Sequence, residues 1–323
     1  MTEHVFDVQK TMDFSPPTNT RKWDTSVMKL NVTPDIILEN IAANIQKQLP
    51  QHVQHEEQGQ QHLAVVGGGW SLEEPEVFEE LRELYFRGVK LVALNGSANW
   101  LMERNLKPAI HIVMDARPAN FPFIEKPIPG CKYFLASQCH PTLVDACIDR
   151  NVRLFHVISS DSEKEREILD NYYNKRWLQV PGAGTVGIVS IMLLRMIGFK
   201  FQHLFGIDSC YSPKGTHHAY PQALNDDEGW ATFWCAGRAF RCSAWQASQV
   251  HTFQQVIKHH GPLLQLEIHG DGLLAHVLRT GAALQDEKDV ENASGMSNGG
   301  EHTGSKSNGM AEREEVVREL APD

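Results

Sequence analysis

The sequence has no C-x-x-C pair: its six cysteines, Cys131, Cys139, Cys147, Cys210, Cys235 and Cys242, are scattered along 323 residues. A chain of this length can bury a core without disulfides, and nothing at its start resembles a signal peptide. It also lacks any long hydrophobic run. The longest, Ile188 to Leu194, is interrupted by Ser190 and followed by Arg195, far short of the ~20 residues a bilayer requires. A reducing cytoplasm is therefore the expected compartment. Basic charge is scarce too: the formal net charge is -10. The segment from Gln285 to Asp323 supplies -6 of that, with four Lys/Arg against ten Asp/Glu. The body is left mildly acidic, with no electrostatic footprint for nucleic acid. No internal repeat is evident.

What is present is a regular alternation. Residues 1 to about 30 are polar and contain "FSPPTNT", so an extended or poorly ordered lead-in is expected. In "VTPDIILENIAANIQKQLP", Thr33 is a suitable N-cap and Pro34 suits the first helical position, while Asp35 complements the dipole. Ile37, Ile41, Ala42 and Ile45 are expected on its packed face. "QHVQHEEQGQQ" reads as a solvated linker, and His52 and His55 within it as linker residues rather than metal ligands.

From residue 62, short apolar runs alternate with amphipathic stretches. "LAVVGG", "VKLVALN", "AIHIVMD", "KYFLAS", "RLFHVIS" and "QHLFGID" read as strands buried on both faces. Helices fall between them, including "PEVFEELRELYFRG" and an almost wholly apolar "GTVGIVSIMLLRMIGF". Such alternation predicts a parallel, doubly wound sheet. Beyond Asp208 comes a Gly, His, Trp and acid-rich loop, then a helix over roughly 231 to 259 and a strand, "LLQLEIHG". The segment 285–323 is expected to be a disordered acidic tail.

Ligands of open parallel sheets sit beyond the carboxyl ends of the strands. Those ends carry Gly67-Gly68-Gly69, Asn95-Gly96-Ser97, Asp115, Ser159-Ser160-Asp161 and Asp208, and a helix is entered through "PGAGTVG". This is a nucleotide-like collar. The dinucleotide fingerprint fails: Leu72 takes the third glycine position, and the second strand ends in Asn95 rather than an acid. No Gly-Lys-Ser/Thr follows, so the P-loop pattern fails as well. A glycine turn whose amides face the site remains, with Ser71 and Glu74 as a capping box; a bare turn is the alternative. Gly184 and Thr185 at the second glycine-rich entry can meet a phosphate, though Gly184 and Gly187 would equally serve close packing. Asp115 and Asp208 are the candidate carboxylates for Mg²⁺ or a substrate hydroxyl, or else loop caps. His217 and His218 are candidate general bases, and with Cys210 a weaker zinc set. Arg117 can hold a phosphate.

In sequence order, "VVGGGWSLEE", "LVALNGSANWLMERNLKPAIHIVMDARP" and "GTVGIVSIMLLRMIGFKFQHLFGIDSCYS…HHAYP" resemble the MptE-like family. That family includes archaeal 6-hydroxymethylpterin pyrophosphokinases and the Maf motility accessory proteins linked to flagellin glycosylation. A weaker similarity joins bacterial sialyltransferases. The resemblance covers about residues 35 to 280. It departs at Trp70, where the family usually has proline, at Ala109 where an acid is usual, and at Ser209 where leucine is usual.

The resemblance implies a Rossmann-like α/β domain over 61–284, after an N-terminal helical extension, 1–60. It implies a nucleotide (ATP or a nucleotide-sugar) and a small-molecule acceptor. Gly67, Gly68, Gly69, Ser71, Asn95, Gly184 and Thr185 would bind the nucleotide, Asp115 and Asp208 would hold Mg²⁺, and His217 or His218 would serve catalysis. The expected reaction is Mg²⁺-dependent diphosphate transfer. Glycosyl transfer from a CMP- or UDP-sugar, and a non-catalytic nucleotide-binding accessory role, are the alternatives.

Overall fold

The computed structural model describes residues 32–54, 59–159, 162–221 and 230–286. The lead-in, His55, Ser160, Asp161 and residues 287–323 of the acidic tail lie outside the described residues.

The elements run α1 (Pro34–Ile45), β1 (His62–Val66), α2 (Pro75–Phe86), β2 (Lys90–Leu94), α3 (Ser97–Glu103) and β3 (Ile110–Val113). Next come β4 (Lys132–Ala136), α4 (Pro141–Asp145), β5 (Val152–Ile158), α5 (Glu163–Tyr173), β6 (Gln179–Pro181), α6 (Val186–Met196) and β7 (Phe201–Phe205). The remainder is β8 (Trp230–Cys235), β9 (Arg238–Ser243), α7 (Ala244–His260), β10 (Gln265–Ile268), α8 (Leu273–Thr280) and β11 (Leu284–Asp286). Eight strands form one parallel sheet in the order β10-β7-β1-β2-β3-β4-β5-β6. The chain winds outward from β1 to β6, then returns to place β7 on the other side of β1. That reversal makes the β1–β7 junction the topological switch point, where open sheets accommodate ligands.

Helix α6 makes the return. Gly187 through Leu194 are all buried, as expected of a helix that contacts β3 and β6 on one side and α7 on the other.

The segment read as one helix over 231–259 is instead a hairpin followed by α7. β8 and β9 pair antiparallel, and Ala236 and Gly237, both with positive φ, form the two-residue turn. Phe233, Cys235, Phe240 and Cys242 alternate inward, and this period of two was present in "WATFWCAGRAFRCS". The three-residue β6, too short and proline-ended to read as a strand, and α8 were also missed.

Helix α1 packs differently from its apolar pattern. Ile41 and Ile45 are buried as expected, but Ala42 is exposed and Asn40 and Asn44 take the inner face. Thr33 makes no side-chain cap. Asn40 donates to the Ala116 and Gln138 carbonyls at 3.2 and 3.0 Å. Asn44 donates to Ser137 and Cys139 at 2.9 and 2.7 Å. The two carboxamides thus satisfy loop carbonyls beyond β3 and β4 that no strand reaches. Ile41 and Ile45 meanwhile join Ile158 and Leu169 in a second, smaller core. His52 is not a solvated linker residue either. It is buried, with its ring 4.0 Å from that of Phe134 and its main-chain N–H donating to Leu154 at 2.8 Å.

Replacing Asn44 with Ala strips the donor from two carbonyls and should cost roughly 2–4 kcal/mol in urea unfolding. Ala42→Gln should change stability by no more than about 0.5 kcal/mol. The reverse ranking would show that the helix is seated on its apolar stripe alone.

Candidate functional site

The strand-end loops after β1, β2, β3 and β7 enclose a cleft of about 370 Å³ with the N-termini of α6 and α7. Its lining includes Gly67, Gly68, Gly69, Asn95, Asp115, Arg117, Gly184, Thr185, Asp208, His217 and His218. All the proposed site residues but Ser71 therefore meet at one surface. Ser71 lies behind it, fully buried, with its main-chain N–H donating to Asp208 Oδ2 at 3.0 Å.

The glycine turn has fewer free amides than its sequence suggests. Gly67 N–H donates to the Phe205 carbonyl at 2.8 Å, and Gly69 N–H donates to Gly206 at 2.7 Å. Two of the three amides are consumed in sewing the β1 loop to the β7 loop, leaving Gly68 N–H without a partner among the described residues. The glycines are required by packing. A Cβ on Gly67 would lie 2.4 Å from the Gly206 oxygen, and one on Gly69 would lie 2.3 Å from Asp208 Oδ2. The capping box does not form: Trp70–Glu73 is a short 3-10 turn and α2 starts afterwards at Pro75 without a side-chain cap. Trp70, the departure from the family pattern, is a second stitch, its indole N–H donating to the Cys210 carbonyl at 3.1 Å.

Asp208 is 5% exposed. Burial pushes its carboxyl up to about 6, against the lowering pull of the Ser71 N–H and hydroxyl, with Glu74 adding like-charge repulsion. Gly69 closes one side of the carboxylate. Gly272, in the loop between β10 and α8, closes another: a Cβ there would lie 2.7 Å from Asp208 Oδ1.

Asp115, two residues beyond the end of β3, is bound to Arg117. The guanidinium donates through Nε at 3.0 and 3.2 Å and through Nη2 at 2.5 Å, and the Arg117 main-chain N–H adds a 3.0 Å bond. Asn95 adopts positive φ and accepts from Met114 N–H through Oδ1 at 3.3 Å. It therefore sets the turn that brings Asn95 itself to the cleft.

At the start of α6, Gly184 has positive φ and the Thr185 hydroxyl accepts from Gly187 N–H. Gly187 abuts β7's exit, where an added Cβ would lie 3.1 Å from Ile207. Gly184 thus serves the turn and Gly187 the packing, while both keep the helix N-terminus at the cleft. The histidine loop is tied to the glycine turn. Ala219 N–H donates to the Gly68 carbonyl at 3.0 Å, His218 Nδ1 lies 3.2 Å from the same oxygen, and the His217 ring centre is 3.9 Å from that of His218. Cys210 gathers no zinc set with these histidines among the described residues. It is buried, and its thiol is pushed up to about 12 by desolvation.

Several lining residues were missed. Ser243, Trp245, Gln246 and Gln249 bring the start of α7 to the cleft. Ser243 and Gln246 form a capping box, and Ser209 donates to Gln249 at 2.6 Å. The S-x-x-Q spacing directly after an alternating strand was the readable signal. Asn120 is 1% exposed and lines the cleft, with neither side-chain polar atom partnered among the described residues. Nothing in "ARPANFPF" marks it.

Comparison with known proteins agrees with this architecture. A search of curated proteins finds no match. Among solved structures, a Maf glycosyltransferase from Magnetospirillum magneticum AMB-1 is similar at TM-score 0.52 and 12% identity, over 80% of this chain and 43% of that one. The chain thus spans less than half of that protein's length. A mammalian sialyltransferase, solved with Gal-beta-1-3GalNAc-ortho-nitrophenol, aligns at TM-score 0.39 and 11% identity, over 81% of this chain and 93% of that one. The profile described as 6-hydroxymethylpterin diphosphokinase MptE-like matches residues 35–214, from α1 through β7 and into the histidine loop. The chain belongs to this MptE-like family.

Proposed function

We propose that the protein is a nucleotide-dependent transferase, moving a diphosphate from a nucleoside triphosphate to a hydroxyl-bearing small molecule. The observation that carries this reading is Asp208, a buried carboxylate in the wall of a switch-point cleft that also receives two helix N-termini. The amides at Gly68 and at the start of α6 would hold phosphate oxygens. Arg117 would turn from Asp115 to a phosphate, and Asn120 would supply its unpartnered carboxamide to nucleotide or acceptor. The acceptor oxygen would form its bond to the β-phosphorus as the bond from that phosphorus to the bridging oxygen breaks. The nucleoside monophosphate leaves, and the acceptor proton passes to His217 or His218.

The residues fit Mg²⁺ brought by the nucleotide, which commonly needs only one or two protein carboxylates. Asp208 has a single main-chain donor, and Asp115 becomes available as Arg117 leaves it. When bound, the ion would neutralise phosphate charge.

A second reading is favoured by the tether between the histidine loop and the Gly68 carbonyl. With a CMP- or UDP-sugar at the same walls, an imidazole would take the acceptor's proton, and metal would be dispensable. The fold shared with the Maf glycosyltransferase accommodates this reading.

Calorimetry with ATP, CMP-sugar and UDP-sugar, each with and without Mg²⁺, separates the two. Magnesium-dependent ATP binding that Arg117→Met weakens by at least tenfold is the expected result. Metal-free nucleotide-sugar binding would replace it with the second reading, and absence of all binding would overturn both.

Asp208→Asn tests the carboxylate itself. Because the folded-state value is raised, the native state binds more protons than the unfolded state between roughly pH 4 and 6, and stability falls as pH rises through that window. Asparagine keeps an acceptor for Ser71 N–H and removes the buried charge. The variant should melt several degrees higher than the parent at pH 7.5, lose that advantage near pH 4, and lose turnover. Unchanged turnover would remove Asp208 from the chemistry.

A further inference from the structure

Away from the cleft, three histidines and two glutamates converge on one face of the sheet. The register sets His203 of β7 beside Ala64 of β1 on one flank and Glu267 of β10 on the other. His62, two residues before Ala64, and His269, two residues after Glu267, therefore share that face by the period-two rule. Glu80 reaches it from α2.

Ligand atoms of His203, Glu267 and His269 all lie within 4.8 Å of one another. His203 Nδ1 is 3.3 Å from His269 Nε2 and 3.0 Å from Glu267 Oε2. Two donors about 2.0–2.1 Å from one ion at a tetrahedral angle stand roughly 3.3 Å apart, so the spacing is that of a shared metal. The outer ring nitrogens are held as well. His269 Nδ1 lies 2.6 Å from Glu80 Oε2, and His203 Nε2 lies 2.9 Å from His62 Nδ1. A carboxylate or other partner behind a ligating imidazole fixes its ring and its tautomer. The His203 and His269 side chains are 12% and 10% exposed, whereas Glu267 is 63% exposed. The two imidazoles are thus largely buried while the carboxylate faces solvent, from which water can complete the coordination.

We propose that His203, His269 and Glu267 form a divalent transition-metal site of the zinc class, with Glu80 and His62 as supporting partners. Two imidazoles and one carboxylate suit zinc, cobalt or nickel over magnesium, which prefers oxygen ligands alone. The ion would clip edge strand β10 to β7 and, through Glu80, to α2. It would also brace the cleft from behind, because His269 begins the turn that delivers Gly272 against Asp208. The proposal stands independently of which group the cleft transfers.

The test uses the full chain, dialysed against a chelator and titrated calorimetrically with ZnCl₂ and CoCl₂, with thermal melts alongside. One ion per chain is expected, with a raised Tm and a cobalt spectrum free of thiolate charge-transfer bands. His269→Gln should abolish binding, Glu267→Gln should weaken it at least tenfold, and Glu80→Gln should weaken it about 10–100-fold. Asp208→Asn should leave zinc affinity unchanged, which separates this site from the cleft. Glu267 is exposed, so its variant is informative even where His269→Gln does not fold. Zinc binding that survives Glu267→Gln unaltered, a thiolate signature, or no stoichiometric binding would each overturn the site.

Discussion

The cleft depends on one contact: the main chain leaving β1 lies directly against the main chain leaving β7. Side chains at Gly67 or Gly69 would hold the two loops apart, and at both positions a Cβ would meet the Gly206 carbonyl. Their absence lets two amides bond across the junction and lets Ser71 N–H reach Asp208. The same approach brings Trp70 to the Cys210 carbonyl. Much of the site's geometry follows. The glycine turn is fixed by β7, the histidine loop is fixed by the glycine turn, and Asp208 is held between Gly69 and Gly272. The switch point is closed by hydrogen bonds at its floor, and the space above is left to the helix N-termini and the loops from β2 and β3.

Asp208 apart, the full charges lining that space balance one another. Asp115 is neutralised by Arg117 in a partly buried ion pair, a geometry costly to break unless a new partner takes the guanidinium. A phosphate is such a partner, and the carboxylate it releases would in turn seek a cation. Under the proposed function, the two halves of the pair would meet the two halves of a metal–nucleotide complex. The acidic excess of the chain is irrelevant here because the nearest charges, not the net charge, decide the field in a partly dry cleft.

The parallel sheet was legible because its strands are continuous apolar runs and the polar residue ending each run marks the carboxyl edge. Asp115, Asp208 and Asn95 could be placed at one cleft from that rule alone. What could not be read were consequences of contact between distant segments. The amides of Gly67 and Gly69 look available in sequence, and only the neighbouring β7 loop shows that they are occupied. Asn40 and Asn44 look like the polar side of α1, yet loop carbonyls beyond β3 and β4 draw them inward and leave Ala42 outside. Other features are written in local pattern. The inward alternation of Phe233, Cys235, Phe240 and Cys242 around Ala-Gly is a hairpin pattern, and the Ser243–Gln246 box fixes where α7 begins. With that boundary, Trp245 and Gln249 would have been found at the cleft.

Packing explains the glycines, but it does not explain the carboxylate. The Asp208 side chain accepts one main-chain hydrogen bond, from Ser71, and asparagine would accept the same bond without burying a charge. Its two glycine neighbours make room for a planar group and are indifferent to its ionisation. No cation partners it among the described residues, and the charged side chain that bears on it, Glu74, is of the same sign. A buried charge with so little local compensation opposes folding, and under the proposed function the group that would offset it arrives with the substrate. Beside Asn120, whose carboxamide has no partner among the described residues, Asp208 is the lining group whose chemistry, rather than shape, the fold leaves unaccounted for.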